Sequence, residues 1–257
     1  MVLATLVQIL VGLLAPVLLA RVIHRRWGTN RALVIPGALA GLGLLVLNAL
    51  VQAIVARGVL AAPVSSALPI FAGLLGAAQG LLAALALVAV FVWLAPGARR
   101  LARVLMVGVG FGGAELTMRA VLAALVLAAN LQLALFPPEG VPPSDPAILD
   151  QQAQVEAYFA TPPSGPLWEA VGAAGRLAHG VTVAVLVGTL FLTGEVGWFF
   201  GGWFWAALGA IGAVLFGQAG PASGALWWAM LGGISVVIVL RRLRRTPASL
   251  LSDGYEA

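Results

Sequence analysis

Four ionisable side chains lie in stretches of the sequence that are otherwise suited to a lipid bilayer. Glu115 and Arg119 belong to GVGFGGAELTMRA at residues 108–120, and Arg176 and His179 belong to GRLAHGVTVAVLV at residues 175–187. A charged side chain at the centre of a bilayer costs at least ~2.5 kcal/mol, so it persists where it is paired or faces water. These four residues are the first candidates for chemistry.

Their spacing places each pair on one helix face beside small residues. The two faces, with steps of three or four residues, consist of Gly108, Gly112, Glu115 and Arg119 and of Gly172, Arg176, His179 and Thr182. At ~1.5 Å per residue, Glu115 lies about 16 Å along its apolar run and His179 about 18 Å along the next. In antiparallel helices crossing a core ~30 Å thick these depths nearly coincide. We expect one polar pocket.

Such a pocket has the groups needed to hydrolyse an amide. Glu115 would act as the general base that activates water, and His179 would polarise the carbonyl or hold the water. Arg119 would orient Glu115, and Arg176 lies at the same level. We therefore assign Glu115, His179, Arg119 and Arg176 as candidate catalytic residues, with no bound cofactor.

A purely structural alternative is an ion pair of Glu115 with Arg119 or Arg176 that fixes the helix register. His179 argues against it, as does an excess of positive charge if Glu169 is solvated near the membrane edge. Asn48 is a further polar contributor to the pocket. The other amides in apolar runs are expected to join helices, namely Gln52, Gln79, Asn130 and Gln132.

The composition indicates an integral membrane protein. Of 257 residues, 61% are apolar and 9% are charged, whereas a soluble domain has about a quarter charged. Seven apolar runs are long enough to cross a bilayer, at about 2–20, 33–55, 68–94, 104–134, 167–193, 198–217 and 222–240. The predicted fold class is all-α, because continuously apolar runs differ from the alternating strands of an outer-membrane barrel. Residues 1–240 form one bundle and 241–257 a basic cytoplasmic tail.

The arginines predict the orientation, because cytoplasmic loops are enriched in basic residues. All fourteen basic residues are arginines. Eleven lie in segments on one side of the membrane, namely Arg21, Arg25, Arg26, Arg31, Arg99, Arg100, Arg103, Arg241, Arg242, Arg244 and Arg245. The opposite segments contain Arg57 and a cluster of acidic residues within 135–166. The N-terminus is therefore predicted outside and the C-terminus in the cytoplasm, which requires an odd number of spans.

The excess of arginines over acidic residues therefore indicates the membrane topology and contact with anionic lipids. It does not indicate a nucleic-acid-binding surface. The lysine-free composition rich in Arg, Ala and Gly suggests a GC-rich genome and hence a prokaryotic inner membrane. Cysteine is absent, which excludes disulfides and thiolate metal sites.

Two further features concern packing and access. Gly37 and Gly41 have the spacing that lets membrane helices approach closely. In the longest loop, Asp145 as cap and Pro146 at the first helical position predict a short amphipathic helix with Ile148, Val155 and Phe159 on one face. This helix is either a lid over the pocket or an interfacial tether.

The two quoted stretches resemble the YhfC-type intramembrane proteases, relatives of the CAAX prenyl endopeptidases. GVGFGGAELTMRA is similar to that family's Gly-rich segment ending in Gly-Gly-x-Glu, and GRLAHGVTVAVLV to its later helix bearing Arg and His. Glu115 with Arg119 also fits the Glu-xxx-Arg half of the CAAX endopeptidase motif. The resemblance implies an intramembrane endopeptidase acting on a membrane-embedded or lipidated peptide.

The chain departs from those motifs at two positions. Ala114 stands where the CAAX motif begins with a second glutamate, and Phe111 stands where the YhfC pattern has a histidine. His24, the other histidine, is predicted in a cytoplasmic segment. With two mid-membrane ligands beside two arginines, zinc is disfavoured and a glutamic-type mechanism is expected.

A different class of function is also compatible with these residues. The chain would then be a non-catalytic membrane protein, either a pseudoprotease scaffold or a transporter-like subunit in which Arg119 and Arg176 bind a lipid headgroup or another anion.

Overall fold

The computed structural model describes residues 1–59, 68–136 and 146–251, and within these ranges the regular structure is entirely helical. The helices are α1 (Val2–Trp27), α2 (Val34–Val59), α3 (Leu68–Ala89), α4 (Leu101–Leu135), α5 (Pro146–Ala160), α6 (Ser164–Thr193), α7 (Gly197–Gly217), α8 (Pro221–Arg245) and α9 (Ala248–Leu251). A 3-10 turn at Arg31–Leu33 precedes α2, and a π turn at Val90–Leu94 continues α3. Among the described residues, seven helices are long and apolar enough to cross a membrane.

The seven predicted spans correspond in order to α1, α2, α3, α4, α6, α7 and α8, so the fold class is confirmed. The helices extend beyond several apolar runs. α1 continues through its arginines to Trp27 and is capped by Gly28, whose φ of 65° lies in the left-handed region that favours glycine. α8 likewise includes the arginines up to Arg245. Arginine is a good helix former, so charge at the end of a run does not end the helix.

α6 forms the centre of the bundle. It contacts α4 and α1 on one side and α8 and α7 on the other, while α2 packs on α4 and α3 on α7. Its buried residues run from Pro166 to Thr189. The core where α3, α4 and α6 meet contains Leu87, Val104 and Val185, all fully buried. The candidate residues therefore lie on the two most central helices, α4 and α6.

Glycines set how closely these helices approach. At the crossing of α4 and α6, a Cβ added to Gly180 would lie 2.5 Å from the Cα of Gly112. At the crossing of α2 and α4, Gly37 and Gly41 pack against the backbone of Val107 and Phe111. In lipid, where no hydrophobic force drives helices together, such backbone contacts maximise van der Waals attraction. The predicted packing role of Gly37 and Gly41 is confirmed.

The amphipathic helix predicted in the longest loop is present as α5, and it contacts α4. Val155 and Phe159 are half-buried, as is Ile148, whereas Gln151 and Glu156 are exposed. Its apolar face is therefore turned to the bundle. The proposed cap, Asp145, lies outside the described residues.

Candidate functional site

The crossing of α4 and α6 brings the candidate residues together. Glu115 follows the crossing glycine of α4 by three residues, and His179 directly precedes the crossing glycine of α6. The backbones of α4 and α6 are in contact at this point, so Glu115 and His179, which lie within one turn of it, line the same space. That space is a cavity of about 370 Å³, which we call the polar cavity.

The polar cavity contains all four predicted site residues. Its polar lining consists of Asn48, Gln79, Glu115, Arg119, Arg176 and His179. Phe111, Val183 and Trp228 contribute apolar walls. The sequence predicts Asn48 at this site but not Gln79, because it predicts that the other amides in apolar runs join helices. Asn130 does not line the cavity, and instead of joining two helices its Nδ2 donates a hydrogen bond to the carbonyl of Val126 in its own helix.

Glu115 forms an ion pair within α4. Arg119 Nε donates a hydrogen bond to Glu115 Oε1 at 2.8 Å. The exposed fractions are 32% for the Glu115 side chain and 51% for Arg119, so the carboxylate is held in one orientation without being enclosed. The guanidinium of Arg176 approaches the same oxygen less closely, with Nε at 4.0 Å.

Arg176 has a stronger partner on its own helix. Its Nη2 donates to Glu169 Oε2 at 2.7 Å and lies 3.4 Å from the Glu169 carbonyl oxygen. The Arg176 side chain is only 7% exposed, and its guanidinium lies 5.9 Å from the ring centroid of Trp228. Glu169 is 38% exposed, as expected for a residue near the membrane edge, but it is also paired, because the long Arg176 side chain reaches two turns along α6.

This pairing changes the charge of the cluster. Glu115 and Glu169 balance Arg119 and Arg176, so the excess of positive charge expected from the sequence is absent from these four residues. The sequence carried a usable signal, because positions 169 and 176 are seven residues apart and share a helix face.

His179 is buried, at 8% exposure, beside two tryptophans. Its ring centroid lies 5.4 Å from that of Trp228, edge to face, and 6.1 Å from that of Trp205. Its Nε2 faces Gly209, where an added Cβ would lie 2.5 Å away. Nδ1 is buried and has no hydrogen-bond partner among the described residues, and neither does Asn48 Oδ1.

Thr182 shares the helix face of His179 but not its surroundings. Its hydroxyl bonds to the carbonyl of Ala178 at 2.9 Å and to that of Ser235 on α8 at 3.2 Å. Trp205 Nε1 donates to the Ser235 hydroxyl. Thr182 thus links α6 to α8 rather than lining the polar cavity.

The two departures from the motifs fall on different faces of α4. Phe111 lines the polar cavity, so a histidine there would face Glu115 and His179. Ala114 instead lines a groove formed with α1 and α2. His24 does not line the cavity, and its Nδ1 lies 2.7 Å from the carbonyl oxygen of Thr29. Among the described residues, no group of three or more His, Cys, Asp or Glu side chains could hold a metal ion.

A second cavity of about 340 Å³ adjoins the first at Arg119. It is lined by Glu169 and Pro166 of α6, by residues at the start of α1, and by Tyr158 of α5. The amphipathic helix therefore covers a space next to the ion pairs, which is compatible with a lid and equally with a tether.

No family model matches the chain, and no curated protein or solved structure is significantly similar to it.

Proposed function

We propose that the chain is an intramembrane endopeptidase in which Glu115 is the general base and His179 binds the water or the developing oxyanion. The substrate class is a peptide that is embedded in the membrane or attached to a lipid. We also propose that the chain is related to the YhfC-type proteases. This relationship is based on the two short stretches around Glu115 and His179.

The observation that carries the proposal is that buried polar atoms of residues lining the polar cavity, His179 Nδ1 and Asn48 Oδ1 among them, have no hydrogen-bond partner within the described residues. Buried polar groups in folded proteins are nearly always hydrogen-bonded, so an unpaired one calls for a water or ligand partner. His179 Nδ1 and Asn48 Oδ1 are both in this position. A cavity of about 370 Å³ has room for several waters. Hydrolysis within the membrane needs such a place for water.

The reaction uses each group in a defined way. The Glu115 carboxylate takes a proton from a water molecule, whose oxygen adds to the carbonyl carbon of the scissile amide. His179, protonated on the nitrogen that faces the carbonyl, donates a hydrogen bond to the oxyanion. The C–N bond then breaks, and the proton held by Glu115 passes to the leaving nitrogen. Water and amide give an acid and an amine.

The ion pairs would prepare Glu115 for this role. Arg119 holds one carboxylate oxygen at 2.8 Å, which fixes its direction and leaves the second oxygen for water. Arg176 is already paired with Glu169, so it would contribute positive potential near the carbonyl rather than a direct bond to Glu115. Both arginines are positioning residues under this proposal.

The same ion pairs favour a second candidate, a non-catalytic scaffold. A charge-balanced network of Glu115, Arg119, Arg176 and Glu169 can serve only to fix the register of α4 and α6. An anion-binding subunit receives less support, because both guanidinium groups already have carboxylate partners.

Two glutamates of this network allow the candidates to be distinguished. Glu115 lines the polar cavity, whereas Glu169 does not and pairs with the same Arg176. The experiment is to incubate the purified protein with fluorogenic transmembrane and lipidated peptides and to locate cleavage by mass spectrometry. We expect Glu115→Gln to abolish cleavage with little change in thermal midpoint, and Glu169→Gln to retain most of it.

Glu115 and His179 are expected to act as one unit. Each single variant, Glu115→Gln or His179→Ala, should then remove most of the cleavage, and the double variant should be little worse than either. If the parent cleaves a peptide and both single variants cleave it equally well, the scaffold is preferred and the endopeptidase proposal fails.

The location is also part of the proposal. We infer that the chain resides in a prokaryotic inner membrane, with its partners limited to membrane lipids and the peptide substrate. This inference is supported by the arginine distribution and by the lysine-free composition.

A further inference from the structure

A groove of about 610 Å³ runs between α1, α2 and α4. No residue that lines this groove also lines the polar cavity. α2 and α4 contribute to both spaces, but with different helix faces. We call it the arginine groove, because three of its lining residues at one end are Arg21, Arg25 and Arg31.

The two ends of the arginine groove differ in chemistry. Arg21 and Arg25 are one turn apart at the end of α1, and Arg31 belongs to the 3-10 turn before α2. All three are exposed, and no described carboxylate forms an ion pair with them. The remaining lining is apolar apart from Thr117, with Leu13 and Val121 farthest along their helices.

The length of the arginine groove corresponds to one leaflet of a bilayer. Leu13 and Arg25 are twelve residues apart on α1, which is about 18 Å along the helix axis. The hydrocarbon core is ~30 Å thick, so the groove extends from one surface to near the midplane. Trp27 supports this placement: it lies at the arginine end under the guanidinium of Arg26, and tryptophan is enriched at the membrane interface.

We propose that the arginine groove binds one anionic phospholipid as a specific ligand. Its phosphate lies on Arg21, Arg25 and Arg31, and one acyl chain follows the apolar wall toward Leu13 and Val121. Three cations without a carboxylate match an anionic headgroup, and an apolar channel one leaflet long matches an acyl chain. The bound lipid holds α1 and α2 against α4, and this role does not depend on the proposed peptidase activity.

The chain offers a matched control for the charge. The variant Arg21→Gln, Arg25→Gln, Arg31→Gln removes three charges from the groove. The variant Arg241→Gln, Arg244→Gln, Arg245→Gln removes three exposed charges from the end of α8, outside the groove. Both variants are expected to fold, because all six side chains are exposed. A third variant, Thr117→Phe, fills the apolar wall and leaves every arginine in place.

The measurement is lipid retention by native mass spectrometry, together with the thermal midpoint in detergent as phosphatidylglycerol or phosphatidylcholine is added. The parent and the α8 variant should retain one phosphatidylglycerol and be stabilised by it. The groove triple variant should bind phosphatidylglycerol roughly a hundredfold more weakly, because each of the three arginines near the membrane surface should strengthen the affinity about fivefold. Thr117→Phe should also lose the retained lipid.

Three results would overturn the proposal. The first is equal loss in both triple variants, which indicates a diffuse attraction to anionic lipids. The second is equal stabilisation by phosphatidylcholine. The third is equal protection by glycerol 3-phosphate, which has the headgroup chemistry without an acyl chain and would point to a soluble phosphate.

Discussion

The ring of His179 occupies space that is available because residue 209 is glycine. A Cβ at this position would lie 2.5 Å from Nε2 and 2.9 Å from Cε1 of the ring. Trp205 and Trp228 border the ring on other sides, so it has little freedom to move away. Position 209 therefore offers a way to displace His179 without changing any polar group.

We expect Gly209→Ala to lower peptide cleavage by about 100-fold, because a displacement of ~1 Å at a catalytic group has effects of this size. The control is Gly201→Ala on the same helix, where an added Cβ meets nothing within 4 Å. The measurement is the initial cleavage rate of both variants at equal folded concentration. Wild-type cleavage by Gly209→Ala would show that the position of His179 does not matter for the reaction.

Whether the proposed peptidase reaction needs a metal can also be argued from individual residues. A catalytic zinc takes three protein ligands, usually from His, Glu, Asp or Cys. At the polar cavity, Glu115 and His179 are the only such side chains in the described lining, and Arg119 and Arg176 stand beside them. The positive guanidinium groups of Arg119 and Arg176 would repel a metal cation bound beside them.

We therefore expect the parent protein to purify with far less than one zinc per chain and to keep its activity in the presence of a chelator. Phe111→His adds an imidazole to the cavity lining and should introduce weak zinc binding. Elemental analysis of both proteins measures this. About one zinc in the parent, with activity lost to a chelator and restored by zinc, would refute the glutamic-type mechanism.

At the scale of the helices, apolar run length was enough to predict all seven spans, because the bilayer sets the length of a helix that crosses it. Helix ends were predicted less well, since α1 continues to Trp27 and the π turn at Val90–Leu94 has no signal in the apolar pattern. The common depth of Glu115 and His179 followed from counting residues. The spacing of Glu169 and Arg176 permits their pairing, but spacing alone does not decide whether Arg176 turns toward Glu169 or toward Glu115.

The surroundings of His179 depend on how α6, α7 and α8 pack, which a single sequence does not specify. Trp205, Gly209 and Trp228 come from two different helices, and nothing in their spacing connects them to His179. Only the glycines at the crossings gave a sequence signal for packing.

The crossing of α4 and α6 is itself testable. A Cβ at Gly180 would lie 2.5 Å from the Cα of Gly112, so Gly180→Ala must push the two helices apart. Such overpacking typically costs ~1–3 kcal/mol, which corresponds to a thermal midpoint several degrees lower. Gly165→Ala on the same helix meets nothing within 4 Å and should be neutral. Equal midpoints for the two variants would contradict the close crossing.

At the scale of the whole molecule, the number of membrane-spanning helices and the positions of the arginines together predict the orientation of the chain in the membrane. Successive spans alternate in direction, so the end of α1 and the end of α8 lie on the same side of the membrane if seven helices cross. Both ends carry arginine clusters, Arg21 to Arg26 on α1 and Arg241 to Arg245 on α8. Arg99 and Arg100, which precede α4, and Arg103 in the first turn of α4 fall on this side as well.

We therefore expect the C-terminus in the cytoplasm and the N-terminus and the segment 135–166 outside, because basic residues are retained on the cytoplasmic side. The measurement is a pair of reporter fusions at two sites, after Ala257 and within 135–166. Alkaline phosphatase, which is active outside, should work only at the internal site, and a cytoplasmic fluorescent reporter only at the C-terminus. The opposite pattern would invert the bundle and place α5 on the cytoplasmic side. Activity of the same reporter at both sites would require an even number of spans between them, whereas α6, α7 and α8 provide three.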